Sequence, residues 1–164
     1  MTEKNQDRGA TRAVIRPYRS EDREAIRDLF RASGQRGGPL KDYIEDEELA
    51  LALLIDYHLD YEPENCFVAE AQGVIVGYAV CSADTRRYYR VVLMKLLPWM
   101  IGRFLWRLLT MQYRSTSTFH VAWWFLTRSW REIPEAALEK YPGHMHLTLA
   151  PTHRGVRLGR DLVR

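Results

Sequence analysis

The patterned part of the chain opens at Ala13 to Tyr18, a short strand with Val14 and Ile15 as its apolar content. Ser20 has the side chain of a helix cap, and Glu21 and Asp22 suit the positive end of the helix dipole. Ala25, Ile26, Leu29 and Phe30 then recur at helical spacing on one face. Gly34 ends this helix, and Gly37-Gly38-Pro39 extends the loop. A second helix is predicted from about Asp46 to Leu59, closed by Pro63. The period then changes. Cys66 to Ala71 and Val74 to Ser82 are β-rich runs around Gln72-Gly73, which reads as a hairpin. Strand, helix, helix, strand, strand is the opening of an α+β domain.

Thr85 to Gly143 interrupts this order, and all five tryptophans of the chain lie inside it. Val91 to Met111 is strongly apolar, yet Lys95, Arg103 and Arg107 fall on one helical arc beside Trp99 and Trp106. Three charges and Pro98 exclude a membrane span. The prediction is helix from Tyr88 to Met111, broken near Pro98, with the three basic residues on the wetter side. Core packing or a lid over an acceptor ranks above contact with a membrane surface. Trp123, Trp124 and Phe125 continue the apolar theme, and Glu132 to Lys140 reads as a short helix with Pro134 in its first turn. A further strand follows at His144 to Leu149, ended by Pro151, and the chain closes on a helical start at Arg160 to Arg164.

With 164 residues the chain suits one domain. Its 46% hydrophobic and 27% charged residues are those of an ordinary globular protein. The formal net charge of +3 is too mild to point to nucleic acid, so none is expected as a partner. Cys66 and Cys81 lie in apolar runs and read as buried thiols, outside any disulfide or metal site. Residues 1–12 are polar, without an apolar signal region. We expect a disordered lead-in there, a domain over 13–164 and a cytoplasmic location.

His144 and His146 are two apart on a strand and share a face, a spacing open to a general base, a metal pair or ordinary strand residues. No Cys, Asp or Glu lies close enough in sequence to complete a zinc set, so no metal is predicted. Asp84 either orients an amine or caps a helix before Thr85. Tyr88 and Tyr89 either line an acceptor pocket or pack, and Glu70 is solvated on the hairpin.

A strand that runs through a Gly-containing loop into a helix is an anion-binding geometry, because free amides and the helix dipole converge there. A plain surface turn with two arginines is the alternative. The stretch His146-Leu147-Thr148-Leu149-Ala150-Pro151-Thr152-His153-Arg154-Gly155-Val156-Arg157-Leu158-Gly159-Arg160 resembles the acetyl-coenzyme A motif of the GNAT superfamily. Arg154 matches the first position of that motif and Gly159 the last, while Arg157 stands where the family has its middle glycine. Asn65 to Glu70 and Val76-Gly77-Tyr78-Ala79 resemble the second and third strands of the superfamily. Tyr141-Pro142-Gly143-His144-Met145-His146-Leu147 is similar to the acetyltransferase-like domains related to the one joined to O-GlcNAcase.

The resemblance implies an α+β fold with a mixed, mainly antiparallel sheet flanked by helices and a long helical insert, about 85–143, between strands three and four. It also implies that the domain is incomplete, with a fifth strand, a helix bearing a thiol-protonating tyrosine and further strands missing. Acetyl-CoA would be the acyl donor. The backbone of Arg154, Gly155, Val156, Arg157, Leu158, Gly159 and Arg160 would hold its pyrophosphate, with the side chains of Arg154 and Arg157 adding charge. Leu147 and Leu149 would lie beside its pantetheine arm, with strand amides polarising the thioester carbonyl. An unidentified amine would attack directly, making the chain an N-acyltransferase. Two other readings remain at this stage: a non-catalytic acyl-CoA-binding or remnant domain, favoured by the expected truncation and by Arg157, and a membrane-surface or protein-binding module built on the insert.

Overall fold

A computed structural model describes residues 13–33, 39–42, 44–114, 118–120, 123, 127–128, 138–155 and 157–163. The expectations for 1–12, for the glycines of 34–38 and for most of the helix at 132–140 lie outside these residues. Residues 138–140 form a turn.

Four strands pair in chain order: β1 (Val14–Pro17), β2 (Cys66–Ala71), β3 (Val74–Ser82) and β4 (His144–Leu149). Their positions agree with the hydrophobic pattern. All three pairings are antiparallel, so the described sheet is not mixed. The β2–β3 hairpin turns at Gln72 and Gly73, both with positive φ (53° and 78°), the twist that matches a tight hairpin. Gly77 on β3 sits opposite Leu149 of β4, and a Cβ there would collide with the Leu149 side chain.

One face of the sheet is covered by α1 (Arg23–Ala32) and by a continuous helix made of α2 (Glu47–Leu51), a π-helical stretch (Ala52–Asp56) and α3 (Tyr57–Tyr61). Ile26, Leu51, Ile55 and Leu59 bury there against Cys66, Val68, Tyr78 and Val80. Ser20 does not cap α1. It begins a single 3-10 turn, and the Asp22 carboxylate takes the Arg19 amide at 2.8 Å while two Arg16 nitrogens hold it at 2.7 Å. A charged pair therefore fixes the start of the helix where a hydroxyl was expected. Ala25, placed on the buried face by periodicity, is exposed, whereas Arg27 is buried between α1 and the second helix. It is held there by Asp56 and by Glu48 at 2.6 Å. The other face of the sheet carries Ala69, Ala71, Val76 and Ala79, closed by Leu158 and Leu162 from the short helix α6 (Leu158–Asp161) and the residue after it.

The insert begins as α4 (Thr85–Val91), widens into a π-helical stretch (Val92–Leu96) and continues as α5 (Leu97–Leu109). Helix was expected here, but two details differ. Pro98 does not break the helix, because the wide turn just before it relieves the clash between a proline ring and the preceding carbonyls. The basic side is also not the wet side. Asp46, 1% exposed, takes Arg103 Nε at 2.9 Å, Arg103 Nη2 at 3.0 Å and Arg107 Nη1 at 3.2 Å. Both arginines therefore turn inward, and Trp99, Ile101, Leu105, Trp106 and Leu109 turn outward. A buried carboxylate without a countercharge is far costlier than exposed leucines, so the ion pair sets the orientation.

Asp46→Ala strands two inward-facing guanidinium groups. It should lower unfolding stability by roughly 3 kcal/mol. Urea denaturation should record a lower midpoint at an unchanged slope; a midpoint within error of wild type would refute this role of Asp46.

Candidate functional site

The site is organised by the outer edge of β4. The Ala150 amide donates to Val76 O at 2.8 Å, which sets the alternation of the ladder. His144, His146 and Thr148 thus bond their backbones to β3, while Met145, Leu147 and Leu149 turn theirs to the opposite edge. Among the described residues no strand pairs with that edge. Arg154 reaches back to it, its Nε donating to Leu149 O at 3.1 Å. Side chains alternate as well. Met145 and Leu147 stand half exposed on one face, and His144 and His146 turn to the helical layer on the other.

After β4 the chain makes a 3-10 turn at Pro151–His153 and passes Gly155, φ 83°. It then enters α6 through Arg157, whose φ of 62° and ψ of −2° are left-handed. Glycine adopts this conformation with less strain than arginine does. The Arg157 side chain is exposed. Intrahelical bonding begins at Arg160, whose amide donates to Arg157 O at 2.9 Å, so the amides just before it point out of the helix start. Gly159 lies on the sheet side: a Cβ there would stand 3.4 Å from Leu149 Cδ1 and 3.7 Å from Leu147 Cδ2. The structure therefore brings Leu147, Leu149, Arg154, Gly155, Arg157, Leu158, Gly159 and Arg160 into one strand–loop–helix unit. Val156 lies outside the described residues.

His144 and His146 meet a third histidine that the sequence did not single out. His58 of α3 is fully buried, with its ring centroid 5.4 Å from that of His144 and 5.8 Å from that of His146. Neither of its ring nitrogens makes a hydrogen bond. Burial, aided by the neighbouring histidines, pulls its pKa down to about 4, against weaker opposing pulls from the Cys81 carbonyl and Glu62. Burial also lowers both His144 and His146, and His144 lowers His146 further. The group is therefore neutral at pH 7. His144 Nδ1 lies 2.9 Å from Thr85 Oγ1, and Tyr88 packs against both His58 and His144. The cluster escaped sequence analysis because His58 sits 86 residues from His144 on an apolar helix face, without a motif of its own. No group of three or more His, Cys, Asp or Glu among the described residues is arranged to hold a metal ion.

Asp84 is the N-cap of α4. Its Oδ1 takes the Arg86 amide at 2.8 Å and the Arg87 amide at 3.2 Å. It also lines a hollow of about 230 Å³ with Arg86, Leu138, Glu139 and Pro142. Tyr88 packs, and its hydroxyl donates to Leu53 O at 3.1 Å. Tyr89 packs edge-on against it. Glu70 is not simply solvated, since its carboxylate takes Arg16 Nε at 2.7 Å.

An antiparallel sheet with helices on one face and a strand–loop–helix closing the other is an acetyltransferase fold. The solved structure of the acetyltransferase SsHAT is 31% identical to this chain, with a TM-score of 0.69, over 92% of this chain and 72% of that one. The chain belongs to the acetyltransferase family of SsHAT. No family model and no curated protein matches the sequence.

Two outcomes follow from this geometry. Arg157→Gly relieves a left-handed arginine and should raise stability by about 1 kcal/mol, less whatever freedom the glycine gives the unfolded chain. Denaturant melts that place the variant below wild type would contradict it. The second outcome concerns acid. A histidine held neutral by the fold takes up its proton more readily when unfolded, so stability is complete above pH 6.5. It falls as pH drops from 6.5 through about 4. His58 should contribute on the order of 3 kcal/mol to that loss. The difference between wild type and His58→Gln, followed by urea melts from pH 7 to 4, isolates it from the carboxylates that titrate in the same range.

Proposed function

We propose that the chain is a GNAT-type N-acyltransferase that takes an acyl group from acetyl-CoA to an amine. The reading is carried by the similarity to the acetyltransferase SsHAT over nearly the whole chain. The β4–loop–α6 unit supports it. The outward amides of Leu158 and Gly159 at the start of α6 suit a pyrophosphate, and the exposed Arg157 adds charge beside them. The open edge at Met145, Leu147 and Leu149 offers backbone donors to a pantetheine arm and to the thioester oxygen. Gly159 faces the Leu147 and Leu149 side chains, so that the loop and the edge form one track.

The acceptor nitrogen attacks the thioester carbonyl carbon, the new C–N bond forms, and the C–S bond breaks. The amine gives up a proton, and the departing thiolate gains one. His144 and His146 are the proposed proton acceptors. Burial keeps both neutral at pH 7 and therefore able to accept. Asp84 and Glu139, set against the single cation Arg86, leave the hollow near the His144 end with a net negative lining that suits a cationic amine before it loses its proton.

Acetyl-CoA should bind this chain in titration calorimetry, with affinity falling as salt rises. Gly159→Glu should weaken binding by roughly tenfold or more. Gly159→Ala is the control, since its Cβ meets only ordinary contacts with Leu149 and Leu147. Equal binding by the Glu variant would remove the loop from the site, and activity that survives loss of both His144 and His146 would remove the proposed bases.

A further inference from the structure

The sequence around α5 and its outward face make an unusual combination. From Thr85 to Arg131 the chain carries nine Lys and Arg and no Asp or Glu; the rest carries fifteen against twenty-one. The insert is thus a cationic segment on an otherwise acidic domain. Its two innermost charges, Arg103 and Arg107, are held by Asp46. The outward arc of α5 bears no charge: Trp99 is 47% exposed, Leu105 49%, Ile101 50%, Trp106 64% and Leu109 80%. Apolar residues normally face the protein and charged ones water. Here the Asp46 ion pairs reverse that order and leave a contiguous apolar face. Exposed basic residues stand at both ends of it, Arg86, Arg87 and Arg90 on α4 and Arg114 beyond α5.

We infer that this face docks on the surface of an anionic lipid bilayer. α5 would lie flat, with its apolar arc among the upper acyl chains, Trp99 and Trp106 at headgroup depth, and the flanking arginines on lipid phosphates. Insertion across the bilayer is not involved, since no helix among the described residues is long and apolar enough to cross. Charge distinguishes this occupant from a second copy of the chain. A symmetric dimer through α5 would set one cationic segment against another, with no acidic residue in either to pair with. An anionic bilayer satisfies both the apolar arc and its cationic ends. The inference does not depend on the acyl-transfer reading.

The test uses the full chain with vesicles of phosphatidylcholine alone and vesicles with phosphatidylserine added, read by co-sedimentation and by tryptophan fluorescence. Binding to the anionic vesicles only is expected, with a blue shift, quenching by brominated lipid and loss at high salt. Leu105→Glu with Leu109→Glu, both exposed and so compatible with folding, should weaken binding by roughly tenfold. Light scattering and urea melts check the state and stability of both proteins. No vesicle binding by a folded wild type overturns the proposal, as does equal binding to both vesicle types. Undiminished binding by the folded double variant also overturns it, and so does a dimer that the two glutamates convert to monomer without any lipid binding.

Discussion

The pairing of Asp46 with Arg103 and Arg107 governs the orientation of the insert. Asp46 precedes α2 at a depth where water cannot solvate a carboxylate, and no basic residue from its own layer reaches it among the contacts described. The insert supplies the countercharge from 57 and 61 positions further along the sequence. Once those two guanidinium groups are fixed, the rotation of α5 is fixed too. Its leucines and tryptophans face outward because the helix cannot bury both arcs. Tyr113 joins the same carboxylate at 3.3 Å and ties down the chain just beyond α5. Tyr88 ties down its beginning on the Leu53 carbonyl.

The candidate site relies on a different constraint, the close approach of β3, β4 and α6. Gly77 lets Leu149 lie across β3, and Leu149 in turn receives Gly159. Arg157 leads into α6 in a left-handed conformation although it lacks the freedom of a glycine. Its long cationic side chain stands exposed at the surface of the loop. In the proposed site this residue acts on charge and leaves the cradle intact.

Much of the fold was legible in the sequence because it depends on local pattern. The hairpin at Gln72-Gly73 and the strand from His144 to Leu149 are written in β-rich runs and a turn. The strand–loop–helix of the candidate site was legible through its glycines and arginines. The orientation of the insert was not, for two reasons. Asp46 looks like any helix-initiating acid until its burial is known. Lys95 lies within the wide turn, so an arc counted at 3.6 residues per turn does not carry from it to Arg103. Lys95 is in fact exposed, over the Tyr61 ring at 5.1 Å, while both arginines point inward. The histidine cluster was half legible. The spacing of His144 and His146 gave their shared face, but only tertiary packing brings His58 to them.

The π-helical stretch at Val92–Leu96 packs against the one at Ala52–Asp56. A π turn accommodates one residue more than an α turn over the same rise. Within the continuous helix from Thr85 to Leu109, this turn is where a change in length can be absorbed. Loss of a single residue within 92–96 would convert the wide turn to a regular one and leave α5 in phase with Asp46. The same loss after Leu97 would rotate everything beyond it by about 100°. Arg103 and Arg107 would then leave the carboxylate, and an uncharged arc would take their place. Length variation among relatives of this chain should accordingly collect at the wide turn and avoid the helix that follows it.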